Sequence, residues 1–413
     1  MPAFEKPKSA AELGLMQGCP PPPDKIVTHA NQLLGPYNRW SFQNELALNQ
    51  TVDVWRGSGP AAALEANLTD LSQVTYQNRA GTQFSFDDMV EMSYTDGILA
   101  LHHGKIIYER YLNGMQPHSL HCWASGSKSV TGTLAAALAH EGLFDPGERV
   151  SAALPELKDS GFGDATLRQV LDMTSAVGFA EEQPNLVTEN DAYGIAMGWQ
   201  ERPAGYAGPA NAYEFLPTLK KTGEHGLKFT YQTPNTDVLA WLVKRRLGQS
   251  LAQTMQTRLW SRLGAERDAF WIVGPAAVET AGSGLLTTLR DKARFGQMML
   301  QKGRRPGGGQ QIIPAAVIED IEGGGDRAAF ARGPAASPSN RGWSYHNQWW
   351  ITHNDHRAYL SLGYGGQMLY IDPAVEMVIA KFSSFPTPTP AGNEFYSMFA
   401  AFPALASYLE TAG

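Results

Sequence analysis

The sequence predicts an α+β fold: a central antiparallel sheet flanked by helices, with a mainly helical domain beside it. Three observations carry this prediction. Strand-like segments lie just before residue 112 and again near the C-terminal end, helix signals fill most of the stretch between, and an apolar helix follows the first strand pair. Strands at both ends of the chain with helices between them describe one sheet closed from both ends and a helical insertion. A chain of 413 residues is too long for one small core. The predicted organisation is an N-terminal extension wrapping the core (1–94), a sheet domain (95–150 and 275–413) and a mainly helical domain (151–274).

The first ninety or so residues carry the turn Pro20 to Pro23, few periodic segments and scattered aromatics such as Trp40 and Trp55, with no internal repeat. Weakly periodic, proline-bearing chain wraps a surface more readily than it builds a core. From Gly97, GILALHHGKIIYERYLN reads as two strands about a turn at His103-Gly104. GTLAAALAHEGLFD then gives a buried helix with Gly142 as its stop. ATLRQVLDMTS and NTDVLAWLVKRRLG read as short helices, the second capped by Asn235 or Thr236 and ended by Gly248. SGLLTTLRDKARFGQMMLQKG reads as one amphipathic helix before a Gly-rich loop at Gly307 to Gly309. SYHNQWWIT, AYLSLGYGGQMLYID and EMVIAKFSS read as strands with turns at Asn354-Asp355 and Asp372-Pro373, and a last helix spans Glu394 to Leu409.

Composition excludes several classes. The net charge of −7 supplies no basic stripe for nucleic acid. No apolar run reaches the roughly 18 residues of a membrane helix. The N-terminal stretch MPAFEKPKSAAELGLMQGCPPPPDK has no apolar segment after a basic start, so a cytoplasmic location is expected. Cys19 and Cys122 are the only cysteines and follow no metal spacing; reduced thiols are expected, with Cys122 a small packed hydrophobe. His346, His353 and His356 sit in a probable hairpin without a completing carboxylate spacing and read as surface or turn residues. His102-His103 reads the same way, and His140 as a core residue. Neither metal nor cofactor is implied. No Gly-x-Ser-x-Gly elbow surrounds the serines near residue 125, which disfavours the α/β-hydrolase triad.

The stretch CWASGSKSVTGTL places three serines around one lysine at the start of the apolar helix. A serine hydroxyl becomes a nucleophile only when a base takes its proton, and a lysine serves only as the neutral amine that burial favours. Ser125 and Lys128 are three apart, so a helix puts them on one face within reach; Ser127 and Ser129 point elsewhere. A helix N-terminus favours developing negative charge at Ser125. Ser-x-x-Lys recurs by chance about once in a chain of this size, and the tetrapeptide alone fits a capped helix start with a solvated lysine equally well. The apolar run that follows Lys128 argues against simple solvation.

This motif opening a buried helix resembles the serine β-lactamase and penicillin-binding-protein superfamily, and with it a β-lactamase/transpeptidase-like fold. FTYQTPNTDVLAWLVKRRLG, SGLLTTLRDKARFGQMML and SLGYGGQMLYIDP follow in the order that superfamily implies. PPPPDKIVTHANQLLGPYNRWSFQ together with TPNTDVLAWL resembles its 6-aminohexanoate-dimer hydrolase-like branch, and the resemblance runs from about Gly18 onward. Literal matches elsewhere read as decoys: Tyr76-Gln77-Asn78, Tyr111-Leu112-Asn113 and Lys221-Thr222-Gly223. The resemblance implies that Ser125 is acylated, that Lys128 activates it, and that Tyr231 shares the proton and later protonates the leaving group. It implies an oxyanion hole from the N–H groups of Ser125 and Gln367, with Gly365 and Gly366 letting the strand approach the substrate. Thr233 would occupy the third position of the tyrosine motif.

There are departures from the family pattern. Tyr364 stands where a lysine precedes the glycines in β-lactam-recognising members, which counts against β-lactamase activity. Thr233 replaces an asparagine. The branch uses a second tyrosine after the nucleophile helix, and FAEEQPN, from Phe179 to Asn185, offers Gln183 near that place. Trp349-Trp350, Tyr345 and Trp199 are candidates for an acyl pocket as well as for plain core. The expectation is a serine hydrolase acting through an acyl-enzyme on small acyl esters. The alternatives are an amidase for linear or cyclic amides, and a non-catalytic binding or sensor protein that keeps the fold.

Overall fold

A computed structural model describes residues 4–179, 192–387 and 393–412. Three short strands come first: β1 (Thr51–Val54), β2 (Thr75–Gln77) and β3 (Gln83–Ser85). The predicted hairpin follows as β4 (Thr95–His102) and β5 (Lys105–Tyr111), and β6 (His121–Cys122) leads to the serine-rich stretch. Mid-chain lie β7 (Ala269–Gly274), β8 (Val278–Glu279) and β9 (Leu285–Thr287). The last strands are β10 (Ser344–His346), β11 (Trp349–Ile351), β12 (Tyr359–Gly363), β13 (Gln367–Asp372) and β14 (Met377–Ser383).

The main sheet runs β10-β11-β12-β13-β14-β4-β5, antiparallel throughout. The early hairpin joins the late strands through β4 and β14, with Leu101 opposite Val378 and Leu99 opposite Ala380. The sheet is therefore closed from both ends of the chain. At the hairpin tip His103 and Gly104 both have positive φ, the geometry a two-residue turn between twisted strands needs.

Period-two alternation sorts the sheet's side chains between two layers. Leu99, Leu101, Leu369, Val378 and Phe382 face one core; Ile98, Ala100, Met368, Tyr370 and Ile379 face the other. On the second face lie helices α1 (Phe86–Met92) and α5 (Asn393–Ala412) with the β2–β3 hairpin. The capping box of Ser85 and Asp88 starts α1. On the first face lie α2 (Ser127–His140) and α4 (Leu289–Leu300), with α3 (Pro234–Leu247) packed on α2 from the helical side. Gly296 lets α4 press on the sheet, since a β-carbon there would fall 2.5 Å from Val378 Cγ1. Burying a Leu, Val or Phe in these layers contributes about 1.5–3 kcal/mol each.

Apart from β7, the elements described between 151 and 274 are helical; those up to Leu247 share a core of Leu138, Leu154, Leu167, Val170, Leu239 and Leu242, while Leu251, Met255, Leu259 and Leu263 join the first core of the sheet. β7 joins a smaller sheet, β1-β7-β9-β6 with β8 beside β7. Two expectations change. SGLLTTLRDKARFGQMMLQKG is not one helix: its first part is β9, and Thr288 caps α4 by accepting from the Asp291 N–H. The helix α3 begins earlier than Asn235, with Thr233 at its cap position and Pro234 in its first turn; Gly248, at φ 68°, ends it as predicted. The Asn235 and Thr236 side chains bond Ser175 and Gln348 instead of capping.

The N-terminal residues lie against the sheet and are tied to it by polar contacts. Arg39 donates to Asp96 Oδ1 and Ser384 Oγ, both at 2.9 Å, and Asn38 donates to the Phe385 carbonyl. His121 Nε2 lies 2.9 Å from the other Asp96 oxygen. Burial raises the Asp96 carboxyl, but Arg39 and His121 together hold it below its ordinary value. Among the described residues no helix is long and apolar enough to cross a membrane.

Candidate active site

Between β6 and α2 the chain makes one short turn, Ala124 to Gly126, and Ser125 sits on it. Ala124 has φ 45°, a left-handed conformation that costs an L-residue about 1–2 kcal/mol. The surroundings hold it there. Its N–H meets Cys122 Sγ at 3.2 Å, and its carbonyl accepts from Ser127 Oγ at 2.7 Å. Ser361 of β12 donates to the Gly126 carbonyl at 3.1 Å, so the turn is docked on an interior strand of the main sheet.

Lys128 is buried, and its Nζ lies 2.9 Å from Ser125 Oγ and 2.9 Å from the Gly282 carbonyl. The helical spacing thus selects Ser125. Ser127 and Ser129 have other work: Ser127 Oγ accepts from the Leu285 N–H, and Ser129 Oγ donates to the Gln348 carbonyl. No carboxylate pairs with Lys128 among the described residues. With one hydrogen on the Gly282 carbonyl, the Lys128 nitrogen is held within proton-transfer distance of the serine hydroxyl.

Sequence reasoning missed Gly282. A β-carbon there would lie 2.6 Å from Thr233 Cγ2 and 3.2 Å from Lys128 Nζ, so the close approach requires glycine. A glycine between two small residues, Ala281 and Ser283, was the available signal; it stands one position before the stretch read as a helix.

Tyr231 reaches the lysine through its ring, whose centroid is 4.9 Å from Nζ. The ring stacks on Trp350 at 5.6 Å and meets Tyr345 edge-on at 6.2 Å. No described residue hydrogen-bonds its hydroxyl, so Tyr231 stands beside the Ser125–Lys128 pair without being bonded to it.

Ser125 and Thr233 line one cavity of roughly 690 Å³, its open mouth included. Its other walls include Leu33, Phe42, Glu45, Cys122, Trp199 and Tyr364. Gly365, Gly366 and Gln367 are not among the lining residues. Gly365 and Gly366, at φ 74° and 89°, are wedged against Phe42 and Phe385, and the Gln367 side chain is tied to the Tyr364 and Ser383 backbone. Tyr364, just before the two glycines, is the residue of this turn that faces the cavity.

Comparison with known proteins identifies the family. The Beta-lactamase family model matches residues 86–401. The chain belongs to the beta-lactamase family. A 6-aminohexanoate-dimer hydrolase of Paenarthrobacter ureafaciens is 35% identical over 358 residues, covering 86% of this chain and 87% of that one. A solved structure from Bacillus anthracis, described as a candidate 6-aminohexanoate-dimer hydrolase, superposes with a TM-score of 0.84 at 35% identity, covering 94% of this chain and 99% of its own. A family VIII carboxylesterase shares the fold at a TM-score of 0.54 and 15% identity, covering 77% of this chain and 95% of its own.

Within this beta-lactamase-family fold the literal motif matches lie away from Ser125. Tyr76 is in the β2–β3 hairpin, Tyr111 bonds Glu109, and Lys221 pairs with Asp164. The histidine expectation needs correction. His346 is buried, bonded to Asp172 at 3.0 Å and Asp320 at 3.1 Å; burial alone would lower its pKa, but the two carboxylates raise it to about 9. It ties the sheet edge to the helical layer. No group of three or more potential metal ligands occurs among the described residues. The segment from Glu181 through Asn185, with Gln183, lies outside the described residues.

Proposed function

We propose that this protein is a serine hydrolase that works through an acyl-enzyme at Ser125, acting first on small acyl esters. The observation that carries the reading is the 2.9 Å contact between Lys128 Nζ and Ser125 Oγ at the wall of a largely apolar cavity. In this reading the Lys128 amine takes the serine proton as Oγ attacks the carbonyl carbon. The negative oxygen of the tetrahedral intermediate is held by backbone N–H groups, one from Ser125 and one from the turn between β12 and β13. The family resemblance assigns that second donor to the Gln367 N–H, at the start of β13. Collapse expels the alcohol, which takes its proton from Lys128 or Tyr231, and water then hydrolyses the acyl-enzyme by the reverse proton route.

Ester cleavage is placed first because alkoxide departure demands less of the leaving-group acid than amine departure, and the Tyr231 hydroxyl is not bonded to the Ser125–Lys128 pair. A second reading, hydrolysis of linear amides of amino acids, is favoured by the 35% identity to the 6-aminohexanoate-dimer hydrolase. A fluorophosphonate probe followed by peptide mass spectrometry tests the common part. Labelling at Ser125 that disappears in Ser125→Ala is expected; equal labelling in both proteins sinks the enzyme reading and leaves a binding protein. Ester and amide pairs with the same acyl group then separate the two substrates.

A further inference from the structure

Part of the cavity wall comes from the N-terminal residues, and it holds one ionisable group the chemistry above does not use. Glu45 is 4% exposed and lines the same cavity as Ser125. One of its oxygens, Oε2, accepts from Asn49 Nδ2 at 2.5 Å. Asn49 Nδ2 also donates to Gln32 Oε1 at 2.9 Å, so both amide hydrogens are committed. The other carboxyl oxygen, Oε1, has no hydrogen-bond partner among the described residues, and Glu45 forms no ion pair there.

A carboxylate buried without a cation is costly, and the group avoids that cost by keeping its proton. The proton's place follows from the contacts. The oxygen that accepts from Asn49 is the carbonyl-type oxygen, which leaves the O–H on Oε1, the oxygen without a partner. The other ionisable groups lining the cavity are Cys122 and Tyr364. Burial is the main cause that raises the Cys122 thiol, and burial raises the Tyr364 phenol to about 12, so both are uncharged. No lysine, arginine, histidine or aspartate lines the cavity among the described residues.

We infer that Glu45 is a specificity-determining residue: as an uncharged acid in the wall of the Ser125 cavity it donates a hydrogen bond to a neutral oxygen on the substrate's acyl chain. The substrate class is then an oxygen-bearing acyl group, such as a hydroxyacyl ester, and anionic chains are disfavoured. This rests on Ser125 being the acylated residue. Burial holds the Glu45 carboxyl at about 8 despite the Asn49 contact, so the donor is present at neutral pH and lost above it.

The test uses the full chain and p-nitrophenyl esters of unbranched acyl groups, each with its ω-hydroxy and ω-amino analogues. The readout is the ratio of kcat/KM for the hydroxyacyl ester to that for the plain ester of equal length. A ratio of about three to ten is expected below pH 8, falling toward one as pH rises through about 8. Glu45→Gln, which keeps an uncharged donor, retains the ratio across that range, and Glu45→Leu brings it to one at every pH. An unchanged ratio in Glu45→Leu overturns the inference. So does a preference for the ω-amino ester that Glu45→Gln abolishes, because Glu45 would then act as a carboxylate. If Glu45→Leu does not fold, the pH response of Glu45→Gln against the unsubstituted chain decides alone. Fluorophosphonate labelling of the same samples separates the two failures: labelling with no discrimination overturns only the role of Glu45, whereas no labelling overturns the acyl-enzyme reading with it.

Discussion

Gly282 accepts a hydrogen bond from Lys128 at 2.9 Å through its carbonyl, and its α-carbon leaves no room for a side chain under the same amine. One backbone position, 154 residues along the chain from the lysine, thus both orients the amine and sets how closely it can lie. Gly282→Ala is expected to keep the fold and lower kcat by roughly tenfold to a hundredfold with a smaller change in KM, because the amine shifts relative to Ser125. Steady-state kinetics with an activated ester checks this. A KM effect with kcat unchanged would remove Gly282 from that role.

The three serines of the turn should separate by experiment. Ser125→Ala abolishes ester hydrolysis with little change in Tm, since Lys128 is the partner the serine loses. Ser127→Ala leaves the Leu285 N–H without its acceptor and removes a donor to the left-handed Ala124, and should cost about 1–3 kcal/mol of stability. Denaturant titration and initial rates on both variants distinguish the two cases.

His346 makes a prediction about pH. Its folded pKa of about 9 lies above the ordinary value of about 6.5. Its contribution is therefore complete below about pH 6.5 and is lost as pH rises toward 9. The stability gap between the unsubstituted chain and His346→Gln should narrow across that window by roughly 1–3 kcal/mol. A gap that is constant from pH 6 to pH 9, or that widens, contradicts the assignment.

The two cysteines should differ in reactivity. Cys19 is exposed, while Cys122 is buried with its thiol held well up, chiefly by burial. Iodoacetamide near pH 8 should modify Cys19 and spare Cys122 until the chain is unfolded. Peptide mapping reads both sites in one digest.

The sheet was legible because each strand alternates residues between two apolar layers, so strands such as GILALHH and EMVIAKFSS announced themselves locally. Ser125 and Lys128 were legible because a helix brings residues three apart together. Gly282, Glu45 and His346 were not. Their surroundings are made by contacts across the chain: Gly282 with Lys128, Glu45 with the cavity it shares with Cys122, His346 with Asp172 and Asp320. SGLLTTLRDKARF misled for a related reason: its leucines fit a helical stripe, yet Leu285 and Leu286 are drawn into β9 by pairing with β6 and β7. The stretch Gly365 to Gln367 lies on a turn into β13, and which of its residues faces the cavity depends on two positive φ values the sequence only partly foretells.

The family model matches from residue 86, yet Gln32, Leu33, Phe42, Glu45 and Asn49 of the cavity wall all come before it. The cavity wall is thus shared between the stretch before residue 86 and the stretch the family model covers. A chimera that takes its first fifty or so residues from a relative would keep Ser125, Lys128 and Gly282 untouched while exchanging the part of the cavity wall supplied by Gln32, Leu33, Phe42, Glu45 and Asn49. Arg39 is the joint such a graft must preserve, because its bonds to Asp96 and Ser384 seat the exchanged piece on the sheet.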